Sequence, residues 1–193
     1  EVAGRTIRSL LVDDGKLITG TDSGIFCLEN GSFRRLIMTR ENDIIKDVFA
    51  LHRDRRGKLW VGSSKQGLFL KTKSNAPGGI EMFERLPEDK EVCSIFEDKT
   101  GDLWVTGSKG IYRVTPDEKI KKERLEEKLG GVSVETFSAC VYDSDAGVLW
   151  IGTGDQGLIK IDKKNKVTRF NQKRGLPRNV VTCLFLDREN TLW

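Results

Sequence analysis

Histidine is almost missing from this chain: one residue in 193, His52. Cysteine and proline are scarce as well, at four each. A lone histidine with no cysteine or carboxylate cluster beside it makes a poor metal site. No serine stands in a spacing with a histidine and an acid that implies a nucleophile, and no carboxylate pair stands out as acid and base. No apolar run approaches the ~20 residues that a membrane-crossing helix needs. Glu1 to Arg5 lack the basic region and apolar core of a signal peptide, as a mature or excised segment also would. An excess of one charge is missing too, since 33 basic residues face 29 acidic ones, mixed along the chain, for a net +4. The densest run, Lys119 to Lys128, carries both signs and no aromatic residue for base stacking, which argues against nucleic acid as a partner.

What is present is repetition. Gly57-Lys58-Leu59-Trp60-Val61-Gly62 returns as Gly101-Asp102-Leu103-Trp104-Val105 and as Gly147-Val148-Leu149-Trp150-Ile151-Gly152, and a further copy begins at Leu192-Trp193. Gly15 to Gly20 is the same phrase with Ile18 in the tryptophan slot. Intervals at that slot are 42, 44, 46 and 43 residues, and all four tryptophans occupy it. A period of this size marks a stacked or circular array.

Each unit reads as four strands. An apolar inner strand opens it: Thr6 to Val12, Asp47 to Arg53, Val92 to Glu97, Phe137 to Tyr142, Val180 to Leu186. Such short runs rich in Val, Ile, Phe and Leu are expected to be covered on both faces. A tight polar turn leads to the tryptophan strand, then a polar loop ends at Gly24, Gly67, Gly110 or Gly157 and opens a third strand. A weaker outer strand follows at Ser32 to Leu36, Ile80 to Arg85, Lys119 to Arg124 and Lys166 to Phe170. Repeat spacing favours the strand over a short helix at Lys119 to Leu129. The expected fold is all-β, a β-propeller of four-stranded antiparallel blades of about 44 residues. Four full blades near 5–40, 43–87, 90–129 and 134–172, with a partial fifth at 176–193, fill 1–193.

Leu176-Pro177-Arg178-Asn179-Val180-Val181 leading to Asp187 and Leu192-Trp193 resembles the opening of the two-component regulator propeller repeat. Gly147 to Thr153 with Gly157-Leu158 is similar to its second half. Departures are Ile18 for tryptophan, an extra residue before the glycine in Val105-Thr106-Gly107, and Lys46, Lys90 and Thr136 in the slot of Asn179. The resemblance implies the periplasmic sensor domain of a bacterial hybrid two-component histidine kinase, often one that responds to carbohydrates. The rest of the polypeptide would then carry a sandwich domain, a membrane helix and the kinase. It also implies no cofactor, no catalysis in this segment, and two partners: a small-molecule or oligosaccharide ligand and the remainder of its own polypeptide. A homodimer is compatible with it. A protein-binding scaffold is the alternative, and a carbohydrate-active enzyme a third reading.

Several motifs have plain explanations in the repeat. His52, eight residues before Trp60, shares its slot with Phe96, Tyr142 and Phe185, so it reads as aromatic packing. Gly152-Thr153-Gly154-Asp155-Gln156-Gly157 spells a dinucleotide fingerprint, but a strand follows where the mechanism needs a helix. Asp143 to Gly147 lacks the later ligands of a calcium loop and reads as a hairpin turn. Cys93, Cys140 and Cys183 recur on successive inner strands, too far apart to bridge, and are expected to be small buried thiols. The repeated tryptophan is expected to be a buried wedge. Candidate ligand contacts gather on the rim shared by the loop after the tryptophan strand and the entry to the next inner strand. These are Lys46, Lys90, Thr136 and Asn179 before the inner strands, with Lys65, Gln66, Asp155 and Gln156 in the loops. Asn179 and Thr136 have a competing reading, in which they satisfy the backbone at the turn between units.

Overall fold

The computed structural model describes residues 4–36, 44–71, 80–82, 91–108, 110–123, 129, 134 and 136–193. They form four all-β sheets, each four-stranded, antiparallel and ordered as in the sequence, as a propeller blade is. The chain divides into two compact units, Glu1–Val92 and Cys93–Trp193.

The first unit holds two sheets: β1 (Ile7–Asp13), β2 (Lys16–Thr21), β3 (Gly24–Glu29) and β4 (Ser32–Leu36), then β5 (Val48–Arg53), β6 (Leu59–Ser63), β7 (Gly67–Lys71) and β8 (Ile80–Met82). Two-residue turns close the first sheet. Asp14 and Gly15, at φ 47 and 75, join β1 to β2, and Asn30 and Gly31, at φ 50 and 76, join β3 to β4. Two positive φ values are what the twist of a tight hairpin demands. Between the sheets, Ile18, Ile25 and Cys27 pack against Val48, Leu59, Val61 and Phe69. Gly20 and Gly62 let the sheets approach. A Cβ on Gly20 would stand 2.6 Å from Val48 Cγ1, and one on Gly62 would run into Val92.

The second unit contains β9 (Ser94–Glu97), β10 (Leu103–Gly107), β11 (Gly110–Val114) and β12 (Ile120–Lys122), then β13 (Phe137–Asp143), β14 (Val148–Thr153), β15 (Leu158–Ile161) and β16 (Val167–Phe170). Trp104, Ile111 and Leu129 pack with Phe137, Cys140, Leu149, Ile151, Ile159 and Ile161. The Trp104 ring stacks on Tyr142 with centroids 4.8 Å apart.

The outer strands agree with the sequence reading where they are described; Met82 to Arg85 is covered only at Met82, and Arg124 lies outside the described residues. Five expectations need correction. First, β1 is not covered on both faces, since Leu10 is 62% and Val12 73% exposed. Second, the segment 180–193 contributes one bridge, Leu186 to Leu192, in place of two strands. Third, the tryptophans are not uniformly buried: Trp60 and Trp104 are, Trp150 is half-buried, and Trp193, on that segment, is 73% exposed. Fourth, all four cysteines are free, but only Cys27 and Cys140 are buried. Cys93 precedes β9 and is half-buried, and Cys183 is exposed on the same segment as Trp193. Burial pushes the Cys140 thiol far up, so it stays protonated and unreactive. Fifth, register moves two residues. Trp60 pairs with His52 and Trp104 with Phe96, but Trp150 pairs with Val141, so Tyr142 is outside the His52 slot. Thr106 pairs with Ser94 as Gly62 pairs with Ala50 and Gly152 with Ala139. Thr106 therefore replaces the glycine rather than following an insertion, and its hydroxyl lies 2.9 Å from that of Ser94.

Candidate functional site

A repeated hydrogen-bond arrangement shapes each end of the sheets. At the hairpin end, Asp54 Oδ1 accepts the N–H groups of Arg56 and Lys58 at 3.0 and 2.8 Å, while Oδ2 accepts the Trp60 indole N–H at 2.9 Å. Asp98 holds Thr100, Asp102 and Trp104 the same way, the indole again at 2.9 Å. Asp187 does so for Glu189, Thr191 and Trp193. The Trp193 indole N–H, followed by the Thr191 and Glu189 N–H groups, holds the Asp187 carboxyl below the usual carboxylate range. One carboxylate thus closes a turn and anchors the wedge beside it. The sequence carried a signal for this that was not read: aspartate and tryptophan are six residues apart in all three cases.

Repeats one and four do otherwise. In the first, Ile18 needs no acceptor, the turn is one residue shorter, and Asp13 pairs with Arg53 of the next sheet. In the fourth, Asp143 Oδ1 accepts from Asp145 and Ala146, both at 3.1 Å, and the turn is a hairpin as expected. Asp145 then pairs with Lys99, which holds its carboxyl below the ordinary range.

The opposite end carries the candidate contacts. In the first unit the buried Ser63 hydroxyl donates to the Lys46 carbonyl at 2.7 Å and accepts the N–H groups of Lys65 and Gln66 at 3.2 and 3.1 Å. Gln66 Oε1 accepts the Lys46 N–H at 2.7 Å. Lys65 Nζ lies 2.8 Å from Asp47 Oδ2, and Asp47 adopts φ 49. Lys46, Lys65 and Gln66 are therefore brought together. The backbone of Lys46 is stapled while its side chain remains exposed. Gln66 is spent on that staple and Lys65 on an ion pair. Asp22 Oδ1, on the preceding loop, is buried with no partner among the described residues.

In the second unit, Thr153 Oγ1 donates to the Gly157 carbonyl at 2.7 Å and accepts the Gln156 N–H at 2.9 Å. Gln156 Nε2 donates to Asp155 Oδ2 at 2.8 Å, and Asp155 Oδ1 is buried without a partner among the described residues. Gly154 N–H bonds the Thr136 carbonyl at 3.2 Å, and Gly157 N–H the Asn179 carbonyl at 2.9 Å. Thr136, Asp155, Gln156 and Asn179 thus gather at one loop. Asn179 also accepts the Gln172 N–H at 2.9 Å through its side chain, so the backbone-satisfying reading holds for it. Lys90 lies outside the described residues. The loop at Gly152 to Gly157 runs into β15, a strand, as its plain reading required.

The arrangement offers ammonium and amide donors and hydroxyls, with no described group of three or more His, Cys, Asp or Glu able to hold a metal ion. No helix of the described residues is long and apolar enough to cross a membrane.

Comparison with known proteins follows the same lines. The extracellular domain assigned to the hybrid two component system BT3049 of B. thetaiotaomicron superposes with a TM-score of 0.65 at 21% identity, over 99% of this chain and 32% of that one. That of BT4673 from the same organism gives 0.56 at 18%, over 98% and 34%. Virginiamycin B lyase from Staphylococcus aureus gives 0.71 at 20%, over 100% and 63%. At these identities the likeness is one of fold. This chain spans about a third of the two B. thetaiotaomicron domains. No curated protein matches it. Residues 42–65, the stretch with Lys46, the Asp54 turn, Trp60 and Ser63, match the two component regulator propeller family.

Proposed function

We propose that the chain is part of the extracytoplasmic ligand-sensing propeller of a hybrid two-component histidine kinase, with blades at the bounds given above. The segment performs no chemistry; it binds a hydroxyl-rich ligand and passes that event to a kinase elsewhere in the polypeptide. The observation that carries this is the state of Lys46. Two hydrogen bonds fix its backbone at 2.7 Å each, yet its side chain is exposed, with no ion pair to another described residue, at the end of the sheet where the loops collect. Folding alone has no use for that charge, whereas a ligand's hydroxyl or carboxylate does. The family match over 42–65 includes this residue. The domains named above as extracellular parts of two-component systems support the location and the role. The lyase shares the fold alone, and fold does not carry chemistry with it.

Calorimetric titration of candidate oligosaccharides into the parent and a Lys46→Ala/Lys90→Ala variant tests the reading. Affinity should fall in a variant that melts like the parent. Unchanged affinity would place the ligand away from this rim.

A further inference from the structure

The mixing of charge along the chain fails in one place. Residues 160–178 hold eight Lys and Arg against a single acid, Asp162, an excess larger than the net +4 of the whole chain, so the remainder is net acidic. Asp162 is occupied: its Oδ1 accepts the N–H groups of Lys164 and Lys166 at 2.8 and 2.9 Å. Against this segment lies an open groove of about 620 Å³, lined by Lys166, Val167, Thr168, Arg169, Asn171 and Arg174. Neighbouring residues of a strand point to opposite faces. A groove lined by four consecutive residues therefore runs along the strand edge, and β16 is the last strand of its sheet, pairing only with β15 among the described strands.

We infer that this edge groove of β16 binds an acidic oligosaccharide, with Lys166, Arg169 and Arg174 taking its carboxylates or sulfates and Thr168 and Asn171 facing its hydroxyls. The inference rests on the sensing reading and adds a ligand class and a second contact surface to it. One cation is tethered through its side chain and a second through its backbone. Arg169 Nη2 donates to the Leu129 carbonyl at 3.1 Å, which tethers the guanidinium, while its Nε is buried with no partner among the described residues. Asn171 caps the short turn after β16 by accepting the Lys173 N–H at 3.1 Å, and the Arg174 N–H bonds the Asn171 carbonyl at 2.8 Å, so Arg174 closes one end of the groove. A tethered guanidinium suits planar, bidentate anions. A strand rises ~3.3 Å per residue, so Lys166 and Arg169 stand about 10 Å apart along the edge, a spacing that reads separate charges on one extended chain. An acidic peptide could pair with the same edge, but strand addition draws specificity from pockets for alternate side chains, and Val167 is the one apolar lining residue. Charged edges also serve to block strand pairing between molecules; that role needs no groove and no preference among anions.

The test is calorimetry on the full chain with tetragalacturonate, its methyl ester and a chondroitin sulfate tetrasaccharide, repeated on Lys166→Gln/Arg174→Gln. Both side chains are exposed, so this variant should melt like the parent. Binding of either acidic tetrasaccharide, weakened about tenfold or more in the variant and by added salt, with none for the ester at this site, is the expected result. Absence of binding by both acidic probes overturns the inference, as does equal competition by a glutamate-rich peptide. Acidic binding that survives in this variant but is lost in Lys46→Ala also overturns it, and leaves the rim reading standing.

Discussion

Repeats three and four of the second unit share the phrase Gly-x-Leu-Trp and differ by one residue in the turn before it. In repeat three the six-residue spacing brings the Asp98 carboxylate to the Trp104 indole, whose ring is 5% exposed and stacked on Tyr142. In repeat four the longer turn keeps Asp143 on its own backbone. Trp150 is then half-buried, tilted against Phe170 at 6.0 Å and met by the Lys160 ammonium at 5.1 Å. Alternation along the strand decides which face the tryptophan takes. Turn length decides whether the buried N–H has an acceptor, and so whether the residue acts as a locked wedge or as a partly wet lid.

The largest expected difference is in truncation. Trp104→Ala should cost ~3–5 kcal/mol, the range for removing a buried aromatic side chain. Trp150→Ala should cost clearly less, since part of its surface is already wet. Urea unfolding followed by circular dichroism measures both, and equal losses would break the comparison. Next comes the aspartate. Asp98→Ala leaves a buried indole donor and two turn N–H groups without their acceptor, at about 1–3 kcal/mol. Asp143→Ala removes bonds to exposed backbone only and should lie within about 1 kcal/mol of the parent. A sharper form deletes Ala146, which restores the six-residue spacing. The Trp150 N–H should then find Asp143, seen as slowed exchange of the indole proton, with a gain of about 0.5–1.5 kcal/mol if the shortened turn closes without strain.

Much of this was legible because repetition shows the same slot several times. Five copies of one phrase fixed the tryptophan face, the strand order and the loop that carries Ser63 or Thr153, and the residues leading into it marked Lys46 and Asn179. What stayed hidden depends on pairing. The Thr106 substitution looked like an insertion because its glycine neighbour mimics the motif one step late, and only register with Ser94 corrects it. Tyr142 looked equivalent to His52 because residues were counted back through a turn that had gained one. Glycine at 62 is required by Val92, thirty residues along, a demand invisible in local sequence. At the rim, nothing in the sequence told Gln66, spent on the Lys46 backbone, from Lys46 itself, whose side chain is exposed.

The smallest expected effect concerns what repeat four does with its longer turn. Asp145 reaches outward to Lys99 of repeat three, and Asn190 Nδ2 approaches the same carboxylate at 3.5 Å. Lys99 is the first cause of the lowered Asp145 pKa, with the Asn190 contact a minor one. A carboxyl whose folded pKa lies below its unfolded value stabilises the fold above the unfolded value, and that contribution is lost as pH falls through the folded one. Its window is therefore acidic, below the ordinary carboxylate range, and neutral pH sits on the plateau. Both partners are more than half exposed, so the gain is small and screened by salt. Asp145→Asn should leave the neutral urea midpoint almost unchanged and make the acid limb slightly flatter than the parent's, and adding salt should merge the two curves. A loss at neutral pH as large as that of Asp98→Ala would mean that the turn of repeat four carries its neighbours through Asp145 as firmly as Asp98 carries its tryptophan, and the contrast between the two repeats would fail.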